Sequence, residues 1–173
     1  MNEMYLGQTN DAILGQEFLT WLWFCSENRP LEFHNKKGEP FTLSVEQRIV
    51  VQGGEGESLE TASVSGSLSQ LREARLGLKT GKKVTRALVC FEKDEMTWRL
   101  TLKDQDFALG SLKTPKVEHE KDDDPDALFL EKFYLVEMCL DMLDSCYLTF
   151  LGIRLSNRWP DEVQEMTRWI ELQ

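Results

Sequence analysis

The densest run of apolar positions lies between Ala127 and Leu151, where Phe129, Phe133, Leu140, Leu143, Tyr147 and Phe150 recur at helical spacing. It predicts one long helix started by Asp124-Pro125-Asp126, because Pro suits a first helical turn and Asp suits its positive end. Glu131, Glu137, Asp141, Asp144, Ser145 and Thr149 fall in one arc, and most of the remaining circumference is apolar. Such a helix is expected to be covered on more than one side, by the sheet and a second helix or by a partner chain. A second apolar helix is expected from Asp11 to Glu27, with Asn10 or Asp11 as its cap. Its middle, Phe18 to Cys25, is apolar on nearly every side. Phe18, Trp21 and Trp23 therefore belong to the core, to a subunit interface, where Trp is an enriched anchor, or to both.

Period-two alternation takes over elsewhere. Phe41, Leu43, Val45 and Gln47 alternate with Thr42, Ser44, Glu46 and Arg48, a half-buried strand after turn chemistry at Lys36 to Pro40. Thr61 to Ser65 reads as a further strand, after a Gly53 to Gly56 loop that lacks the Gly-Lys-Ser/Thr ending of a phosphate-binding loop. Ser67 to Thr80 reads as a helix, with Ser67 and Gln70 as a capping box and Gly81 as its stop. Val84 to Phe91 and Met96 to Lys103 read as a hairpin. Setting Phe91 opposite Trp98, Val89 opposite Leu100 and Ala87 opposite Leu102 places one apolar set inside. The same register sets Arg86 near Lys103 and Cys90 near Arg99. Asp94-Glu95 is poor two-residue turn chemistry, so a longer tip is expected. Asp106 to Leu112 reads as a short strand, residues 114–126 as an acidic loop, and Asp161 to Leu172 as a terminal helix. The element order predicts an α+β fold in one domain over residues 1–173. A mostly antiparallel sheet would pack with the long C-terminal helix and the apolar N-terminal helix.

Charge changes this picture. The 173-residue chain carries a net charge of −10, which argues against an all-over coat for nucleic acid. Yet Arg72 to Lys116 holds eleven basic and six acidic residues, +5 locally, and the other 9 basic and 24 acidic residues leave −15 elsewhere. Arg72, Arg75 and Lys79 share a helix face. With Lys82, Lys83, Arg86, Arg99 and Lys103 they form a candidate phosphate-contacting surface, sequence-independent and salt-sensitive. A solvated face that only balances acidic neighbours accounts for the same charges.

Other chemistries find little support. Asp122, Asp123, Asp124 and Asp126 lie on a loop, whereas metal ligands sit on rigid elements. His34 and His119 have no ligand-spaced companions, so no metal or cofactor is expected. No serine elbow or Cys–His arrangement appears, so no catalytic residue is expected either. Cys25, Cys90, Cys139 and Cys146 sit in apolar runs and read as reduced, buried thiols. The Met1-Asn2-Glu3 start lacks a basic region before an apolar one, and the apolar helices carry charges every few residues. Neither a secretory signal nor a membrane span is expected, and the location expected is cytoplasmic.

Over Ile13 to Leu155 the chain resembles the C-terminal half of the recombination-associated RdgC family. The residues that carry the resemblance are Glu17 to Trp23, Leu71 to Leu78, Gly81-Lys82-Lys83-Val84-Thr85 with the strand to Phe91, Leu109 to Lys113, the Asp-rich loop and Phe129 to Leu151. Gly-Lys-x-Val-Thr is the most specific of these motifs. The resemblance implies a homodimeric, nucleoid-associated protein without enzymatic activity. Such a protein binds double-stranded DNA weakly and without sequence preference, and restrains recombinase-driven strand exchange. Lys82 and Lys83 fall on the family's Gly-Lys motif. The family's N-terminal half has no counterpart here, which puts DNA encirclement in question. Two further readings stand beside this one. In the first, an acidic interaction or inhibitor module uses Asp122 to Asp126 and the Glu137/Asp141/Asp144 stripe to bind a recombination protein and no DNA. In the second, a metal-dependent nuclease uses the Asp-rich loop.

Overall fold

A computed structural model describes residues 13–53, 60–65, 68–120 and 124–172, with the side chains at 47, 48, 52, 60–65 and 68–72 outside that description. Within it lie strands β1 (Phe33–His34), β2 (Pro40–Gly53), β3 (Glu60–Ser65), β4 (Lys83–Lys93), β5 (Met96–Lys103) and β6 (Gly110–Lys113). The helices are α1 (Gly15–Asn28), α2 (Leu68–Lys79), α3 (Pro125–Arg154) and α4 (Trp159–Glu171). The fold is α+β, as the element order predicts. The strands form one sheet in the order β1-β2-β4-β5-β6, with β3 also on β2, and every pairing is antiparallel. Long β2 takes β4 along one side. Along the other it takes β1 at its start and β3 at its end. A register shift between Glu46 and Ile49 marks a bulge, which sequence alternation alone did not reveal.

The hairpin register is the expected one: Phe91 faces Trp98, Val89 faces Leu100, Ala87 faces Leu102, Arg86 faces Lys103 and Cys90 faces Arg99. Its tip differs from expectation. Lys93 pairs with Met96, so Asp94-Glu95 is a two-residue turn, and both residues take the left-handed conformation (φ 50° and 65°). That conformation matches the twist of a tight hairpin but normally falls to Asn and Gly. The strands impose it here, and Lys93 bridges to Asp94 and, at 3.4 Å, to Glu39.

Val84, Ala87, Val89, Phe91, Trp98, Leu100 and Leu102 line one face of the sheet, each fully buried. The helices pack on that face. The Trp98 indole donates to the Leu135 carbonyl of α3 at 2.9 Å. The α2 residue Arg75 lies over Trp23 of α1 and Trp169 of α4. α1 starts against the end of β5, where the Gln16 amide donates to the Asp104 carboxylate at 2.9 Å. Helix α1 begins at Gly15, later than its sequence suggested, because Leu14 takes a left-handed conformation (φ 55°) and turns the chain in. Residues Gly15 to Cys25 are all buried.

Phe18, Trp21 and Trp23 are at most 1% exposed. Phe18 and Trp21 meet Phe150 of α3, and the Trp21 indole donates to Glu162 of α4 at 2.7 Å. This corrects the interface reading of these three residues, since they are consumed by the chain's own core. Glu17, 3% exposed, receives a hydrogen bond from Arg154 Nε at 2.6 Å. All four thiols are free and buried. Burial pushes Cys139 up to about 12 and raises Cys25, Cys90 and Cys146 as well.

Two further elements depart from expectation. The strand expected from Asp106 shortens to Gly110–Lys113, because Asp106 Oδ1 accepts from the Ala108 N–H at 2.9 Å and makes a turn instead. The long helix is capped as expected, the Asp124 side chain accepting from the Asp126 N–H at 3.0 Å, and it runs on to Arg154. Among the described residues only one side of it is covered. Leu135, Cys139, Met142, Leu143, Cys146, Phe150 and Ile153 are buried, while Phe129, Leu130, Phe133, Tyr134, Leu140 and Leu148 are exposed. No helix among the described residues is long and apolar enough to cross a membrane.

Candidate nucleic-acid interface

Helix α2 and strand β4 are joined by a tight corner built on Gly81. Gly81 has φ 88°, its N–H donates to Leu78 O at 3.1 Å, and the Lys82 N–H reaches back to Gly77 O at 3.0 Å. These two bonds make a Schellman cap, for which a left-handed glycine is the natural residue. The corner brings Lys82 against two glycines. A methyl group on Gly53 would lie 2.9 Å from Lys82 Cγ, and one on Gly77 3.4 Å from its Cδ. The Lys82 stem is thus packed along β2 and α2. Lys79, Lys82 and Lys83 are half-buried at this end of α2. A helix C-terminus carries negative partial charge, so the backbone here attracts the lysines and gives an anion no assistance.

The open face of the sheet carries the rest. Arg86 and Lys103 are exposed and directly opposed on β4 and β5. Arg99 and Lys113 are exposed and directly opposed on β5 and β6. Opposed residues on neighbouring strands lie roughly 5 Å apart. The two pairs are separated by the four residues from Arg99 to Lys103, about 13 Å of strand. Arg99 is partly committed: its Nε donates to Glu46 at 2.8 Å, and that hydrogen bond raises its already high pKa.

The structure therefore sorts the expected set into groups. Arg86, Arg99 and Lys103 share the sheet face, and Lys79, Lys82 and Lys83 form a second cluster where β4 begins. Arg75 leaves the set. It is 8% exposed, bonded to Glu27, and lies 5.7 Å and 4.9 Å from the Trp23 and Trp169 rings. It is a core cation, because α1 and α4 offer it two indoles and a carboxylate that the α2 sequence alone cannot show. The Arg72 side chain lies outside the described residues. Lys113 was not singled out from sequence. Its place beside Arg99 follows only from the β5–β6 register, since the alternation before it is interrupted by the Asp106 turn.

The acidic features behave differently. Asp122 and Asp123 lie outside the described residues, and Asp124 caps α3. No group of three metal-ligating side chains gathers among the described residues. Asp141 and Asp144 bridge to Lys36 at 3.5 Å and 2.9 Å, which neutralises part of the acidic stripe. No family model, no curated protein and no solved structure matches this chain.

Proposed function

We propose that the chain is a non-enzymatic, sequence-independent double-stranded DNA-binding protein, a relative of RdgC that modulates recombination in the cytoplasm at the nucleoid. The observation that carries this reading is the adjacency of the Arg86–Lys103 and Arg99–Lys113 pairs on the sheet face opposite the one the described helices pack on, within a chain of net charge −10. Cations concentrated against the overall charge are suited to a polyanion. The four cations offer about four phosphate contacts, one each. Contacts of this kind position a duplex without reading it. The likeness to RdgC in Gly81 to Thr85 and along α3 supports the recombination context.

Fluorescence anisotropy of a labelled duplex, repeated over salt, tests the reading. Affinity is expected to fall about a hundredfold between about 50 and about 200 mM salt, as about four phosphate contacts require. The double variant Arg86→Glu/Lys103→Glu is expected to lower affinity at least about tenfold and flatten the salt slope by about two contacts. Binding that ignores salt, or a double variant that binds like the parent, would remove this face from the function.

A further inference from the structure

The first ten residues of α3, Pro125 to Tyr134, stand clear of the other described residues: all are exposed except half-buried Leu128. Yet this segment is apolar. Phe129 is 66% exposed and Phe133 50%, their rings stacked at 6.4 Å, and Leu140 is 41% exposed further along. Contiguous exposed apolar surface of this sort on a folded chain marks an interface. With half-buried Val136, these residues recur at intervals of four, three and four, the seam spacing of a two-helix coiled coil.

The charges beside the seam identify the occupant. Lys132 precedes one seam residue and Glu137 follows the next, on opposite flanks. Both are exposed, and neither makes an ion pair among the described residues. In a parallel pair of identical helices, the residue before one seam position faces the residue five places on in the partner. Lys132 then meets Glu137 of the second copy, twice over by symmetry, and Pro125 meets Leu130. An antiparallel pair sets Glu137 against Leu130 and leaves Lys132 without an acid. We propose that the free-standing end of α3 pairs in parallel with the same segment of a second copy, with Phe129, Phe133, Val136 and Leu140 in the seam. The buried face of α3, with Leu135, Cys139, Met142 and Cys146, lies about a quarter to a third of a turn from this seam, so two-fold symmetry sets the two bodies on opposite sides of the pair. A homodimer is also what the RdgC resemblance implies; the segment, seam and direction proposed for it rest on α3 alone and not on DNA binding.

The test is the mass of the full chain by sedimentation and light scattering across protein concentration, and a dimer is expected. Phe133→Glu is expected to weaken it at least about thirtyfold, as for a central hot-spot residue. Its circular dichroism should be unchanged, because Phe133 is exposed in the single chain. Lys132→Glu should weaken the dimer about tenfold through two like-charge contacts, and Lys132→Glu/Glu137→Lys should restore it. Phe133→Cys should give a disulfide-linked dimer on mild oxidation, because seam residues of parallel helices meet their own copies and the natural thiols are buried. A monomer at every concentration overturns the proposal and assigns the surface to a different chain. So does a dimer untouched by Phe133→Glu. A dimer that Phe133→Glu abolishes but the charge swap does not restore overturns the parallel arrangement.

Discussion

Replacing Glu27 by alanine is expected to cost about 3–5 kcal/mol of folding stability, because it strands the Arg75 guanidinium in the core. Each Glu27 oxygen is engaged: Oε1 accepts from the Trp23 indole at 2.8 Å, and Oε2 accepts from the Trp169 indole at 2.9 Å and from Arg75. These contacts tie α1, α2 and α4 together. Without the carboxylate, two buried indole N–H groups lose their acceptor and a cation that is 8% exposed loses its only anion among the described residues. Arg75→Met should cost less, about 1–2 kcal/mol. It leaves a carboxylate that keeps both indole donors and is 29% open to water at its side chain. Urea unfolding followed by tryptophan fluorescence checks both. The asymmetry is the decisive outcome, since equal losses would mean that the aromatic packing of Arg75 outweighs its charge.

The second large effect is expected at Gly15. A methyl group there would sit 1.8 Å from the Asp104 carbonyl oxygen and within 2.9 Å of two more Asp104 backbone atoms. No rotamer change relieves a clash with backbone, so Gly15→Ala must push the start of α1 off the end of β5. Alanine favours helix over glycine by at most about 1 kcal/mol. The overpacking term exceeds this, and a net loss of at least about 3 kcal/mol is expected. In a chain of this size that lowers the melting temperature by at least about 6–12 °C. Thermal melts by circular dichroism decide it, and an unchanged or raised melting temperature would refute the close approach.

These two sites show what the sequence could and could not tell. The hairpin register was legible, because a one-residue slip would take Ala87, Val89 and Phe91 off the face they share with Trp98, Leu100 and Leu102. The burial of α1 was legible for the same reason, its apolar residues leaving no polar side to turn outward. Arg75 was not legible. On α2 it shares a stripe with Lys79, and only the approach of Trp23, Glu27 and Trp169 from other helices turns it inward. The long helix was half legible. Its cap and its apolar wheel are local properties, but which part lies on the sheet and which stands free depends on where the sheet ends. The Asp94-Glu95 tip was misjudged because two strands with a good register can force a turn that its own residues disfavour.

The central ladder of the sheet also bears on how the molecule is made. β2 pairs with β4 from Thr42 opposite Glu92 to Gln52 opposite Lys83, so the partners lie between fifty and thirty-one residues apart along the chain. The β4–β5 hairpin closes over two residues. Local closure is fast and distant closure slow. The hairpin, with its Phe91, Trp98 and Leu100 face, is then the template onto which β2 is laid late. Changes within the hairpin slow assembly, whereas changes along β2 act mainly on how long the assembled state survives.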